Sequence, residues 1–117
     1  MDHCTSFFFI YVTCPDQTVA DVIARGAVEA RLAACANLLP GMRSVYRWQG
    51  EVESADEVVL LLKTIESRLP ELMAWVRVRH PYRTPCIVAL PIVAGDADFL
   101  AWIAAETKPA SGPGMAQ

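Results

Sequence analysis

The side chains of this 117-residue sequence best suited to chemistry are one imidazole and two thiols, His80, Cys14 and Cys35. Imidazole titrates near neutrality and is the commonest metal ligand among side chains; a thiolate is both a nucleophile and a ligand for soft metals. His80 continues the apolar series Leu69, Leu72, Met73 and Val76 at i, i+3, i+4, i+7 and i+11, so it follows the buried face of a helix that Pro81 ends. Cys14 precedes a helix N-terminus, where the macrodipole lowers a thiol pKa, and Cys35 begins the strand after that helix. Copper(I) prefers thiolates and copper(II) prefers imidazole with mixed nitrogen and oxygen donors, so the three residues form a candidate set for copper or another divalent metal. One histidine alone is too few. A catalytic reading makes Cys14 a nucleophile with His80 as its base. No oxyanion site or pairing of the two is visible, and the chain is expected not to be an enzyme. Structural roles are open to the same residues: a helix-end histidine donating to a carbonyl, and cysteines packing as small hydrophobes. His3 and Cys4 could bind copper adventitiously together with the amino terminus.

Tyr46, Trp48 and Tyr82 are candidates to line a cleft and stack on a ligand, with Lys63 the best-placed cation for it. As interface aromatics and a lysine that snorkels to solvent they need no ligand. Gly26, Gly41 and Gly50 form neither GxGxxG nor a P-loop, so a phosphate cradle is not indicated.

These residues are placed by a short series of elements. Phe7 to Thr13 is an aromatic and β-branched run that reads as a central strand. Val19, Val22, Ile23, Gly26, Ala27 and Ala30 predict a helix over about 17 to 34, capped by Asp16 or Thr18. A long hairpin follows, with arms through Ser44-Val45-Tyr46-Arg47-Trp48 and Val58 to Thr64 joined at Gln49-Gly50. Ser44, Tyr46 and Trp48 share one face, and Pro40-Gly41 should bulge the first arm. A second helix runs from about Ser67 to His80, with Pro70 tolerable in its first turn. Cys86 to Ile92 is a strand, and a short helix from Asp96 to about Glu106 carries Phe99, Leu100 and Ile103 inward with Trp102 beside them.

The order β-α-β-β-α-β predicts an α+β, ferredoxin-like sandwich: an antiparallel sheet with both main helices on one face, plus a short C-terminal helix. Residues 1–6 are a short N-terminal segment, 7–107 the domain and 108–117 a disordered tail. The second sheet face needs a cover, and another subunit is the economical one. A hydrophobic fraction of 54% against 20% charged residues leaves apolar surface for such a partner. Net charge −3 with 10 scattered basic residues argues against a nucleic-acid groove. No stretch approaches the roughly 20 apolar residues of a membrane span and no basic segment precedes a long apolar run, so a cytoplasmic protein without a membrane partner is expected. The cysteines never form CxxC, which indicates neither a zinc ribbon nor a thioredoxin-type site.

Six blocks in this order resemble the CutA divalent-cation-tolerance family, over about residues 7 to 106. They are Val12-Thr13-Cys14-Pro15-Asp16, Arg31 to Gly41, Ser44 to Gly50, Leu62-Lys63-Thr64, His80-Pro81-Tyr82 with Pro85, and Ala89-Leu90-Pro91. The resemblance implies a ferredoxin-like homotrimer in which hairpins of neighbouring subunits extend each other's sheets, similar in architecture to the PII signalling trimers with their inter-subunit effector clefts. It implies a role in tolerance of copper and other divalent metals and brings no catalytic activity. The implied partners are a divalent metal ion or, alternatively, a small effector sensed without a physiological metal. This chain departs from the pattern at Arg83 and Cys86, where members commonly carry glutamate, and at Val12 and Arg79, where members discussed as copper binders carry cysteine and histidine. Of that copper set only His80 carries over, and a carboxylate to complete a metal site is absent from those positions.

Overall fold

The aromatic and β-branched run at the start of the chain becomes β1, Phe7–Cys14, a central strand hydrogen-bonded to a neighbour on each side. A computed structural model describes residues 6–109. It gives β1, α1 (Gln17–Glu29), β2 (Cys35–Trp48), β3 (Glu51–Ile65), a 3₁₀ turn at Glu66–Arg68, α2 (Leu69–Arg79), β4 (Ile87–Ile92) and α3 (Ala97–Glu106). The strands form one sheet in the order β2-β3-β1-β4 with every pair antiparallel, the split βαβ arrangement expected from the element order. His3, Cys4 and the tail from residue 110 onward lie outside the described residues. Among the described residues no helix is long and apolar enough to cross a membrane.

Strand alternation assigns the two faces. Ile10, Val12 and Cys14 of β1 and Val58, Leu60 and Leu62 of β3 meet Ala20, Ile23 and Ala27 of α1 and Leu72 and Val76 of α2 in one buried cluster. The small residues of α1 let it lie close: a Cβ on Gly26 would sit 2.6 Å from the Trp75 ring of α2. On the second face Tyr11 pairs with Leu61 and Val88, and Phe9 with Lys63 and Leu90. Apolar side chains there stay in solvent, Leu39 at 51% and Val88 at 47% exposure.

The hairpin projects. The chain measures 55 × 32 × 22 Å with a radius of gyration of 15.9 Å, against about 13 Å for a compact chain of this length. Where Pro40-Gly41 predicts a bulge, the pairing jumps from Leu39↔Val59 to Met42↔Glu57: β2 advances three residues while β3 advances two. The extra residue exchanges the faces of β2. Before it the odd residues of β2 share a side with the odd residues of β3; beyond it the even ones do, which puts Ser44, Tyr46 and Trp48 beside Glu57, Glu53 and Glu51.

One boundary and one buried face differ from the sequence expectation. The first helix ends at Glu29, not near residue 34. Arg31 takes the left-handed conformation at φ 61°, and the N–H groups of Leu32 and Arg31 return to the carbonyls of Ala27 and Val28 at 3.0 Å each. That is a Schellman turn without the usual glycine, so no sequence signal marks it. Its guanidinium reaches the end of α3, donating to the carbonyls of Lys108 at 2.7 Å and Ala105 at 3.2 Å, where the helix dipole favours a cation. The inward stripe of α3 is Leu100, Ile103 and Thr107; Phe99, expected inside, is 42% exposed and stacks on Trp102 at 5.6 Å. Asp96 and Asp16 cap α3 and α1, and Pro70 falls in the first turn of α2 as expected.

Replacing Arg31 by Ala keeps the steric cost of the left-handed turn and deletes the tie to α3. The expected result is a stability loss of about 1 kcal/mol in denaturant melts and faster amide exchange confined to α3, with β1 and β3 unchanged.

Candidate functional site

The site is organised around a buried carboxylate. Glu57 of β3 is 8% exposed, and its two oxygens accept hydrogen bonds from Ser44 Oγ at 2.6 Å and Tyr82 Oη at 2.8 Å. Among the described residues no lysine, arginine or histidine lies within ion-pairing distance of it. A buried charge without a countercharge is costly, and two hydroxyl donors offset only part of that cost. Burial, with the hydrogen bond and charge of Glu57, pushes the Tyr82 phenol far above its usual range, so Tyr82 remains a donor.

Tyr82 is held by His80. Pro81 follows α2, and His80 turns out of the helix into extended backbone, 7% exposed, as the stripe through Leu72 and Val76 predicts. A carbonyl can only accept and an amide can only donate, so the two partners of the ring fix its state: Nε2–H donates to the Thr13 carbonyl at 2.8 Å and Nδ1 accepts from the Tyr82 N–H at 3.1 Å. The rings of His80 and Tyr82 lie 4.8 Å apart. Both imidazole nitrogens are thus engaged, which leaves no lone pair directed at a ligand.

In front of this chain of bonds opens a pocket of about 870 Å³, lined by Tyr46 and Trp48 of the hairpin, Tyr82, Glu57, Met42 and Cys86 among others. The bulge brings the two hairpin aromatics to this side. Tyr46, Trp48 and Tyr82 all line this pocket, whereas His80, Cys14, Cys35 and Lys63 do not. Cys14 faces the helix layer and is fully buried. Its thiol, expected to be lowered by the adjacent helix N-terminus, is instead pushed up to about 11 by burial and by the charges of Glu57 and Asp16. Cys35 pairs in register with Lys63, five residues along β3 from Val58, the partner of Cys14. That spacing is about 17 Å, so Cys14 and Cys35 of one protomer cannot share an ion. Burial also raises the Cys35 thiol, more than the nearby Lys63 charge lowers it. Lys63 donates to Asn37 Oδ1 and stands six residues, about 20 Å, from Glu57.

Glu57 is missed by the sequence reading, and Cys86 enters that reading as a departure from the family pattern. Glu57 supplies the carboxylate absent from the positions of Arg83 and Cys86. Burial and Glu57 raise the Cys86 thiol despite a hydrogen bond from Thr13. Among the described residues no three His, Cys, Asp or Glu side chains converge closely enough to hold a metal ion. A single protomer offers Glu57, Cys86 and the thioether of Met42 toward the pocket, and a complete chelating set would need donors from outside it.

Residues 8–106 match the model of the family described as CutA1 divalent ion tolerance protein. The divalent-cation tolerance protein CutA of Thermus thermophilus is 47% identical over 98 residues, which cover 84% of this chain and 95% of that protein. Protein CutA of Mus musculus is 43% identical over 106 residues, 91% of this chain but 60% of the mouse protein, so the chain spans less than two thirds of that relative. Among solved structures, the divalent cation tolerance protein from Thermus thermophilus superposes with a TM-score of 0.84 at 45% identity, covering 87% of this chain and 99% of the other. CutA from Xylella fastidiosa gives 0.85 at 39% identity, covering 87% and 98%.

The thiol environments set an order of reactivity. Among the described cysteines, Cys86, exposed, should alkylate first at pH 8 and Cys14 only when the protein unfolds, as mass spectrometry of digests reads directly. A thiol raised on folding stabilises the fold fully below its unfolded value near 9 and loses that contribution as pH rises through about 11. Denaturant melts between these values should therefore show falling stability, with a shallower fall in Cys14→Ala.

Proposed function

The chain belongs to the CutA1 divalent ion tolerance protein family, and from that premise we propose that it serves divalent cation tolerance as a non-catalytic, homotrimeric binding protein. Its ligand site is the pocket over Glu57, at the boundary between subunits. The observation that carries this reading is the buried carboxylate, without a basic partner among the described residues, facing a pocket large enough for a small molecule. Exposed Leu39, Val88 and Leu90 on the second sheet face, together with the edge positions of β2 and β4 in the sheet of the described residues, support assembly of copies across that face.

Copper or another divalent ion is the first ligand, with the Glu57 carboxylate, the Cys86 thiol and the Met42 thioether as donors to be completed by a neighbouring subunit. The engaged ring of His80 makes it a positioning residue in this reading: it holds Tyr82, and Tyr82 holds Glu57. A second reading, binding of a small effector without a physiological metal, draws on the aromatic lining and the 870 Å³ volume, which exceed what an ion needs.

Copper titration by calorimetry tests the proposal. Wild type and a variant lacking residues 1–5 should bind equally, and Glu57→Gln at least about tenfold more weakly, the scale of losing one charged ligand. Equal affinity in wild type and Glu57→Gln removes the metal reading. Light scattering should return a mass near three times 12.8 kDa, and a monomer would remove the trimer.

A further inference from the structure

We infer that Met42 is the specificity-determining residue of the pocket over Glu57, its thioether selecting copper from among the divalent ions. The inference rests on the reading of this pocket as an ion site and goes beyond it by assigning the residue that tells one ion from another. Two contacts of one hydroxyl carry it. Ser44 Oγ lies 2.6 Å from a carboxylate oxygen of Glu57 and 3.2 Å from Met42 Sδ, yet a serine has a single proton to donate. The short bond to the carboxylate is the stronger of the two and takes that proton. The sulfur lone pairs are left free of Ser44, on a side chain that is half-buried and lines the pocket. The bulge sets this neighbourhood: Met42 is the first paired residue beyond it and stands directly opposite Glu57, an arrangement that puts the two Cβ atoms about 5 Å apart. A soft sulfur and a hard carboxylate oxygen are thus presented side by side, with one hydroxyl between them.

Donor chemistry then separates the ions. Calcium and magnesium are held by oxygen ligands and gain nothing from a thioether. Manganese likewise favours carboxylate, carbonyl and water, and zinc sites are built from thiolate, imidazole and carboxylate. Copper accepts a thioether in both of its oxidation states, as a principal donor when reduced and as a weak axial one when oxidised. Cys86, the other sulfur of the lining, does not make the same distinction, because a thiolate suits zinc as well. Copper outranks the other divalent ions at most sites of nitrogen, oxygen and sulfur donors, so the mark of Met42 is a change in the ratio of affinities and not their order.

Calorimetric titration of the full chain with copper(II), zinc(II) and manganese(II) tests the assignment, wild type being compared with Met42→Leu. That exchange conserves volume and lies outside the core cluster. Copper should bind at least about tenfold more weakly to Met42→Leu, the lower end of what loss of one supporting group costs a metal site, while zinc and manganese bind as they do to wild type. A second readout is spectroscopic. In a Cys86→Ser background, where Met42 is the one sulfur among the described residues lining the pocket, copper(II) should give a sulfur-to-copper charge-transfer band that Met42→Leu removes. Copper affinity unchanged in Met42→Leu, or an equal fall for all three ions, overturns the assignment and leaves the ion site standing. No saturable binding of any of the three ions to wild type overturns both.

Discussion

The structure depends on the pairing of β1 with both of its neighbours. Eight consecutive residues, Phe7 to Cys14, are matched to Ile65 through Val58, and six of them to Ile92 through Ile87. Because side chains alternate, that double registration fixes which residues enter the helix-covered core and which line the second face. A shift of one residue would bury Phe9, Tyr11 and Thr13 under the helices and turn Ile10, Val12 and Cys14 outward. The helices contribute packing, but the sheet registers decide where every chemical group points.

The site inherits its geometry from the end of that strand. Pairing with β4 stops at Val12↔Ile87, one residue before Thr13, and the Thr13 carbonyl takes His80 as its partner. From there a single run of hydrogen bonds passes through His80, Tyr82 and Glu57 to Ser44, linking β1, the segment after α2, β3 and β2. Each member is oriented by the previous one. A buried network of this kind rigidifies when every donor and acceptor is matched. Here the single surplus is negative charge on Glu57, and it faces the cavity.

The sequence is informative where one local rule decides the outcome. Continuous β-branched and aromatic residues mark β1, helical spacing marks α2 and the burial of His80, and Pro40-Gly41 marks the irregularity in the hairpin. It is silent where the outcome depends on residues far apart. Arg31 turns left-handed without glycine because its side chain is held by α3, some 74 residues later in the chain. The dipole argument for Cys14 counts only the helix that follows it, and neither the burial nor the Glu57 charge brought by β3. Glu57 lies in a stretch with Glu51, Glu53 and Asp56 that reads as a solvated charge run; only its period-two alternation with Glu53 and Glu51 across from Trp48 and Tyr46 could have singled it out.

The single extra residue between Leu39 and Met42 makes the projecting arm obey a parity rule. An insertion or deletion of one residue there would rotate the aromatic side of the arm to its back, while a change of two would restore it. Ordinary loops drift in length with little consequence, but this connection can vary only in even steps without dismantling the cavity. Length variation among chains of this architecture should accordingly gather at the Gln49-Gly50 tip, where no sidedness is at stake, and be counted in pairs at the kink.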